Sequence, residues 1–81
     1  MKRRLWTLNH KKQRIKAIVE TLEEAGRPLT TAELTERLRE RGIFKGTPQE
    51  LGLYLAYNLK SEYVERLNTH PPSWILIKRF S

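Results

Sequence analysis

Apolar residues recur at helical spacing in the first third of the chain. From Asn9 to Ala25 they follow the i, i+3, i+4, i+7 spacing of a broad buried face, and Gly26 suits the left-handed residue that ends a helix. The inward positions are Ile15, Ala17, Ile18, Val19, Leu22 and Ala25. The pattern predicts a first helix over residues 9–25.

Two further helices begin at capping boxes. Thr30 with Glu33 starts one that runs to about Arg41, and Thr47 with Glu50 starts another whose first residue is a proline. Both have apolar residues four positions apart on an inward face, a spacing typical of a buried stripe. These residues are Leu34 and Leu38 in the second helix and Leu51, Leu55 and Leu59 in the third, where Gly52 and Ala56 allow another element to approach closely.

The opposite face of the third helix is expected to be exposed and holds two tyrosines and a leucine. Its residues are Glu50, Leu53, Tyr54, Tyr57 and Lys60. Three interpretations stay open. The tyrosines cover the hairpin or the loop around Phe44, they form a dimer or partner face with Leu53, or they contact nucleic acid.

After residue 62 the period changes from 3.6 to 2. Residues 63–67 and 74–79 are rich in β-branched and aromatic residues, and residues 68–73 form a turn-prone loop with two prolines. The pattern predicts a hairpin that packs on the helices, with Pro28 and Leu29 as a third short strand. At the other end of the chain, Trp6 is available to anchor the N-terminal arm on the domain.

Positive charge is concentrated at the start of the chain. The protein has 16 Lys and Arg against 9 acidic residues, a net charge of +7, yet no acidic residue precedes Glu20. The basic residues before it are Lys2, Arg3, Arg4, Lys11, Lys12, Arg14 and Lys16. Such a segment is typical of proteins that bind a polyanion, most often nucleic acid, although a solubilising arm has the same composition.

Several classes of protein are disfavoured. The chain has no cysteine, no apolar run long enough for a membrane span and no signal peptide, so we expect an intracellular protein of the cytoplasm, nucleoid or nucleus. With two histidines and no aspartate, a metal site is not expected, and no cofactor is predicted. Neither a nucleophile–base–acid order nor a glycine-rich phosphate loop is present, so no enzymatic activity is expected.

The predicted element order resembles that of winged helix-turn-helix domains. Helix, short strand, helix, helix, strand, proline-tipped loop and strand follow one another over residues 9–79. Residues 27–34 look like the entry to the second helix in many winged helices. The HARE-HTH group of winged helices is similar to a second set of features, namely Thr47–Pro48 followed by Leu51, Leu55 and Leu59, then Tyr63–Val64, and Trp74 with Leu76. The resemblance implies an α+β fold of three helices with a C-terminal β-hairpin wing. We therefore expect one winged-helix domain over residues 9–81, preceded by the basic arm of residues 1–8.

In that family the third helix enters the major groove and the wing contacts the backbone or minor groove. Carried over to this chain, the reading face consists of Gln49, Glu50, Leu53, Tyr54, Tyr57 and Lys60, with Arg66 and His70 at or near the wing. On this helix, however, only Gln49, Asn58 and the tyrosine hydroxyls can read bases, and Glu50 repels phosphate. We therefore expect the phosphate contacts on the arm and first helix, at Arg3, Arg4, Lys11, Lys12, Arg14 and Lys16.

The sequence thus predicts a non-enzymatic DNA-binding protein, either a small transcriptional regulator or a chromatin-associated factor. A homodimer is one expected arrangement. The alternative is a winged-helix protein-interaction module that uses the Leu53/Tyr54/Tyr57 face, and RNA binding through the basic surface is a third hypothesis. No membrane partner is expected.

Overall fold

The computed structural model describes residues 4–79, so Arg3 and the ends of the predicted arm and domain lie outside the described residues. Six elements follow one another along the chain. They are α1 (Lys11–Ala25), β1 (Leu29–Thr30), α2 (Thr31–Glu40), α3 (Pro48–Asn58), β2 (Val64–Leu67) and β3 (Ser73–Leu76). This is an α+β domain with winged-helix-like topology, as predicted.

The helix ends follow local chemistry. Thr30 and Thr47 each accept a hydrogen bond from the backbone N–H three residues on, and the glutamates at those positions accept one in return, which completes both capping boxes. Gly26 ends α1 in the left-handed region (φ 66°), where its N–H donates to the carbonyl of Leu22. The predicted start of α1 at Asn9 is two residues early, because His10 is still extended.

The three strands form an antiparallel sheet in the order β1-β3-β2. Leu29 pairs with Trp74, which confirms the third short strand, and Val64 pairs with Leu76 across the hairpin. The predicted last strand is too long at its C-terminal end. The ladder stops after Leu76 because the amides of Ile77 and Lys78 both donate to the carbonyl of Tyr63 (2.8 and 3.3 Å).

One hydrophobic core lies between the helices and the inner face of the sheet. The apolar positions predicted for the first two helices are buried, as Ile18, Leu34 and Leu38 show with no accessible surface, except that Ala25 is only half-buried. The prediction is also confirmed for the inward leucines of the third helix, since Leu51, Leu55 and Leu59 have no accessible surface. Thr31 joins two of these elements, because its hydroxyl accepts a hydrogen bond from the indole N–H of Trp74 (2.8 Å). Ala56, expected beside the buried stripe, is instead exposed.

The N-terminal arm packs against the loop between α2 and α3. Trp6 is buried and its ring lies 4.6 Å from that of Phe44, while the amide of Lys45 donates to the carbonyl of Leu5 (2.8 Å). Gly46 is needed in this loop, because a Cβ there would lie 2.5 Å from the Phe44 ring. The predicted anchoring of the arm by Trp6 is confirmed.

Candidate nucleic-acid interface

The N-terminal half of α1 presents lysines to solvent. Lys11, Lys12 and Lys16 are all exposed, whereas Ile15 between them is buried. Lys12 and Lys16 are four residues apart and therefore share one face of the helix. None of the three lysines forms an ion pair with a described residue.

Elsewhere in residues 4–79, positive charge is partly compensated. The ion pairs join Arg27 to Glu33, Arg39 to Glu36, Arg41 to Glu20, and Arg79 to Glu23. Every base in these pairs lies after α1, and two of the glutamates belong to the second half of α1. The positive charge that is concentrated at the start of the sequence is therefore also concentrated in space, because the lysines at the N-terminal end of α1 are not compensated by these glutamates.

The start of α1 adds to this positive potential. His10 makes no side-chain cap and the first turn contains no acidic residue, in contrast to the glutamate-capped starts of α2 and α3. The N-terminal end of a helix carries partial positive charge, and lysines beside it raise the local potential further. Phosphate oxygens suit such an end, because the backbone N–H groups there point outward along the helix axis.

Arg14 has a different environment from the neighbouring lysines. It is half-buried, its Nε donates to the carbonyl of Leu8 (2.8 Å), and its guanidinium lies 5.4 Å from the centre of the Trp6 ring. These contacts hold the arm against α1. Arg4, in contrast, is exposed and its guanidinium donates to the side chain of Asn9.

The expectation that Tyr54 lies on the exposed face of α3 is wrong. Tyr54 is partly buried, its ring packs 4.8 Å from that of Trp6, and its hydroxyl is buried without a hydrogen-bond partner among residues 4–79. Of the three interpretations, burial therefore holds for this residue, but its ring contact is with Trp6 of the arm. The N-terminal arm causes the burial of Tyr54, because it covers a side of α3 that helical periodicity alone does not identify as buried.

The exposed face of α3 is rotated away from Tyr54. Gln49, Leu53, Tyr57 and Lys60 are exposed, with 58% of Leu53 and 82% of Tyr57 accessible, whereas Glu50 is half-buried in its capping box. The predicted face is thus correct for Leu53, Tyr57 and Lys60. It is wrong for Tyr54 and only partly right for Glu50.

The hairpin of β2 and β3, which we call the wing, faces part of this surface across a groove of about 500 Å³. We call this depression the α3–wing groove. Its lining includes Gln49, Leu53, Ala56, Lys60, Arg66 and Trp74. The structure therefore brings together three of the residues predicted for nucleic-acid contact, Gln49, Lys60 and Arg66. Tyr57 is not part of the lining, and His70 is exposed in the loop between β2 and β3.

Sequence reasoning missed this groove, although a signal for it exists. Gly52 and Ala56 are small residues one turn apart, and they indicated a close approach by another element. Gly52 has such a neighbour, because a Cβ there would lie 3.6 Å from the methyl group of Thr31. Ala56 is exposed instead, so the small residues Gly52 and Ala56 leave a depression that Trp74 also lines.

The described residues contain no group of three or more His, Cys, Asp or Glu side chains that could hold a metal ion. Within the same part of the chain, no helix is long and apolar enough to span a membrane. Comparisons with protein families, curated proteins and solved structures yield no match to this chain. Its fold and surface chemistry are therefore the basis for a functional proposal.

Proposed function

We propose that this chain is a DNA-binding protein that contacts phosphates through the arm and the N-terminal half of α1. The single observation that carries the proposal is the cluster of exposed lysines, Lys11, Lys12 and Lys16, which forms no ion pair with a described residue. Exposed cations without carboxylate partners are free to replace the counterions of a nucleic acid. The winged-helix-like topology, common among DNA-binding proteins, supports the same conclusion.

In this proposal the lysines supply affinity, and the third helix and wing lie on or near the DNA. Arg14 contributes by holding the arm, because its guanidinium is already engaged by Trp6 and Leu8. The role is non-enzymatic and fits a small transcriptional regulator or a chromatin-associated factor. Phosphate contacts carry no sequence information by themselves, so base recognition rests on other residues.

The test is a salt titration of binding to a random-sequence DNA duplex. With about four to six phosphates neutralised, log K falls with log salt at a slope of about −4 to −5. Changing Lys12 and Lys16 together to Gln makes that slope shallower by about 2. The control changes Lys45 and Lys78 to Gln, which alters the net charge equally outside α1.

The outcomes separate the hypotheses. Equal slopes for the two double variants would show that binding follows net charge and not the α1 lysines. Absence of binding at low salt would overturn the proposal. A duplex RNA of the same length, titrated in parallel, tests the RNA hypothesis.

A second candidate function, a protein-interaction module, is supported by the exposure of Leu53 and Tyr57 on α3. Large apolar side chains that neighbour each other on a helix surface are typical of a subunit or partner contact. The occupant of this face is either a second copy of the chain or another protein.

A further inference from the structure

We infer that the α3–wing groove binds a short amphipathic peptide segment of a partner protein, in which apolar anchor residues are flanked by Asp or Glu. None of the α1 lysines lines this groove, so the inference goes beyond the proposed DNA binding. It assigns the groove itself to the peptide, with α3 and the wing near the DNA and no nucleic-acid strand in the groove. The occupant follows from two features of the groove, its apolar floor and the sign of the charges along it.

The apolar floor of the α3–wing groove leaves space into which side chains of another molecule can be inserted. Trp74 closes the bottom and is held in place by the hydrogen bond from its indole N–H to Thr31 (2.8 Å). Leu53 and Ala56 form one wall on α3, and both are exposed to solvent within the described chain. A volume of about 500 Å³ with a mainly apolar lining is in the usual range of ligand and peptide sites.

The charges along the groove are all positive. Lys60 lies just after the C-terminal end of α3, four residues beyond Ala56. Arg66 is opposite Trp74 in the β2–β3 register, so its side chain shares the face of the sheet that holds Trp74. Of the described residues, none that lines the groove is acidic, and neither cation forms an ion pair with another of them. Carboxylates beside the apolar anchors of a peptide complement this arrangement.

The apolar floor also argues for a peptide over a nucleic-acid strand. Interfaces with DNA are more polar than protein interfaces, and sugar–phosphate groups lose hydration when they are placed against apolar side chains. Peptides that bind grooves of this kind insert apolar anchors at i, i+3 or i+4 spacing. An acidic, amphipathic segment therefore uses both the floor and the two cations.

The first experiment selects random 12-residue peptides on phage against the full chain, with an Ala56→Trp variant for counter-selection. Ala56 is exposed, so the indole at this position fills the groove without entering the core. We expect enriched peptides with paired apolar residues and flanking Asp or Glu. Failure to enrich any peptide over the blocked variant, or enrichment without acidic bias, would overturn the inference.

The second experiment locates the bound peptide by NMR. The chain has two tryptophans, and their indole N–H signals report on separate places, Trp74 in the groove and Trp6 under the arm. An enriched peptide should shift the Trp74 signal and leave that of Trp6 unchanged. Movement of Trp6 alone would place the site elsewhere, and a similar shift of Trp74 with a DNA duplex would identify the groove as a nucleic-acid site.

Charge reversal then tests the role of the two cations. Lys60→Glu and Arg66→Glu should each weaken binding of the enriched peptide by about tenfold or more, because a like charge replaces a complementary one. Lys45→Glu makes the same change in net charge on an exposed loop residue outside the groove lining, and it should leave the affinity within about twofold. Equal losses for all three variants would overturn the assignment of the carboxylates to Lys60 and Arg66.

Discussion

The ring of Trp6 packs against the ring of Tyr54, with their centroids 4.8 Å apart and their planes inclined at 48°. Residues far apart in sequence thus meet where the N-terminal arm covers one side of α3. The same indole is contacted on α1 by the guanidinium of Arg14 (5.4 Å) and next to α3 by Phe44 (4.6 Å). Trp6 therefore connects the basic first helix to α3.

Trp6→Ala should lower the free energy of unfolding by about 3–5 kcal/mol, because it removes a buried aromatic side chain and leaves a cavity beside Phe44 and Tyr54. Urea denaturation followed by circular dichroism measures the change. Leu53→Ala, an apolar truncation at an exposed position, should cost less than about 1 kcal/mol. Similar losses for both variants would contradict the anchoring role of the arm.

Tyr54→Phe should raise the free energy of unfolding by about 1 kcal/mol. The Tyr54 hydroxyl is buried and has no hydrogen-bond partner within the described part of the chain, so its removal relieves a desolvation cost while the ring contact with Trp6 is kept. Tyr57→Phe is the matched control, because that side chain is 82% exposed and the change should stay within about 0.5 kcal/mol. A clear loss of stability in Tyr54→Phe would show that the hydroxyl has a partner in solution.

Changing Leu53 and Tyr57 together to Ala should convert any dimer to monomer and leave the fold intact. Both side chains are exposed, so their removal opens no cavity in the core. Sedimentation velocity over a range of concentrations measures the oligomeric state, and circular dichroism checks the fold. An unfolded variant would show that these side chains belong to the core, and a wild-type chain that stays monomeric would remove the dimer hypothesis.

Glu33 should make stability depend on pH in the acidic range. Hydrogen bonds from the backbone amide of Thr30 (2.9 Å) and the side chain of Arg27 (3.3 Å) lower the pKa of this carboxyl in the folded state. A folded pKa below the unfolded one contributes stability that is present above the unfolded pKa and is lost as pH falls through the folded pKa.

Glu33→Gln keeps an acceptor for the capping box but cannot ionise, so it should flatten the acidic limb of the stability–pH curve. Chemical denaturation at a series of acidic pH values provides the measurement. Glu24→Gln is the control, because Glu24 is exposed and forms no ion pair with a described residue, and it should keep the wild-type slope. Identical stability–pH curves for Glu33→Gln and the wild-type protein would contradict the prediction.

Much of the fold was determined by short-range chemistry that can be read from the sequence. A capping box involves two residues three positions apart, so Thr30 and Thr47 marked the starts of α2 and α3 without knowledge of the rest of the chain. Periodicity likewise identified the buried leucines, and the change to period 2 identified the hairpin. The asymmetric charge of the first helix is also a property of the sequence alone.

Only the tertiary structure decided which polar and aromatic residues of the predicted site are available. Periodicity identifies the face of a helix that is buried most deeply, but whether a neighbouring side is covered depends on distant segments, such as the arm that buries Tyr54 and engages Arg14. The α3–wing groove likewise depends on segments that are distant in sequence. Lys60 follows α3 and Arg66 lies on β2, and only the placement of the hairpin beside α3 brings both to one apolar depression.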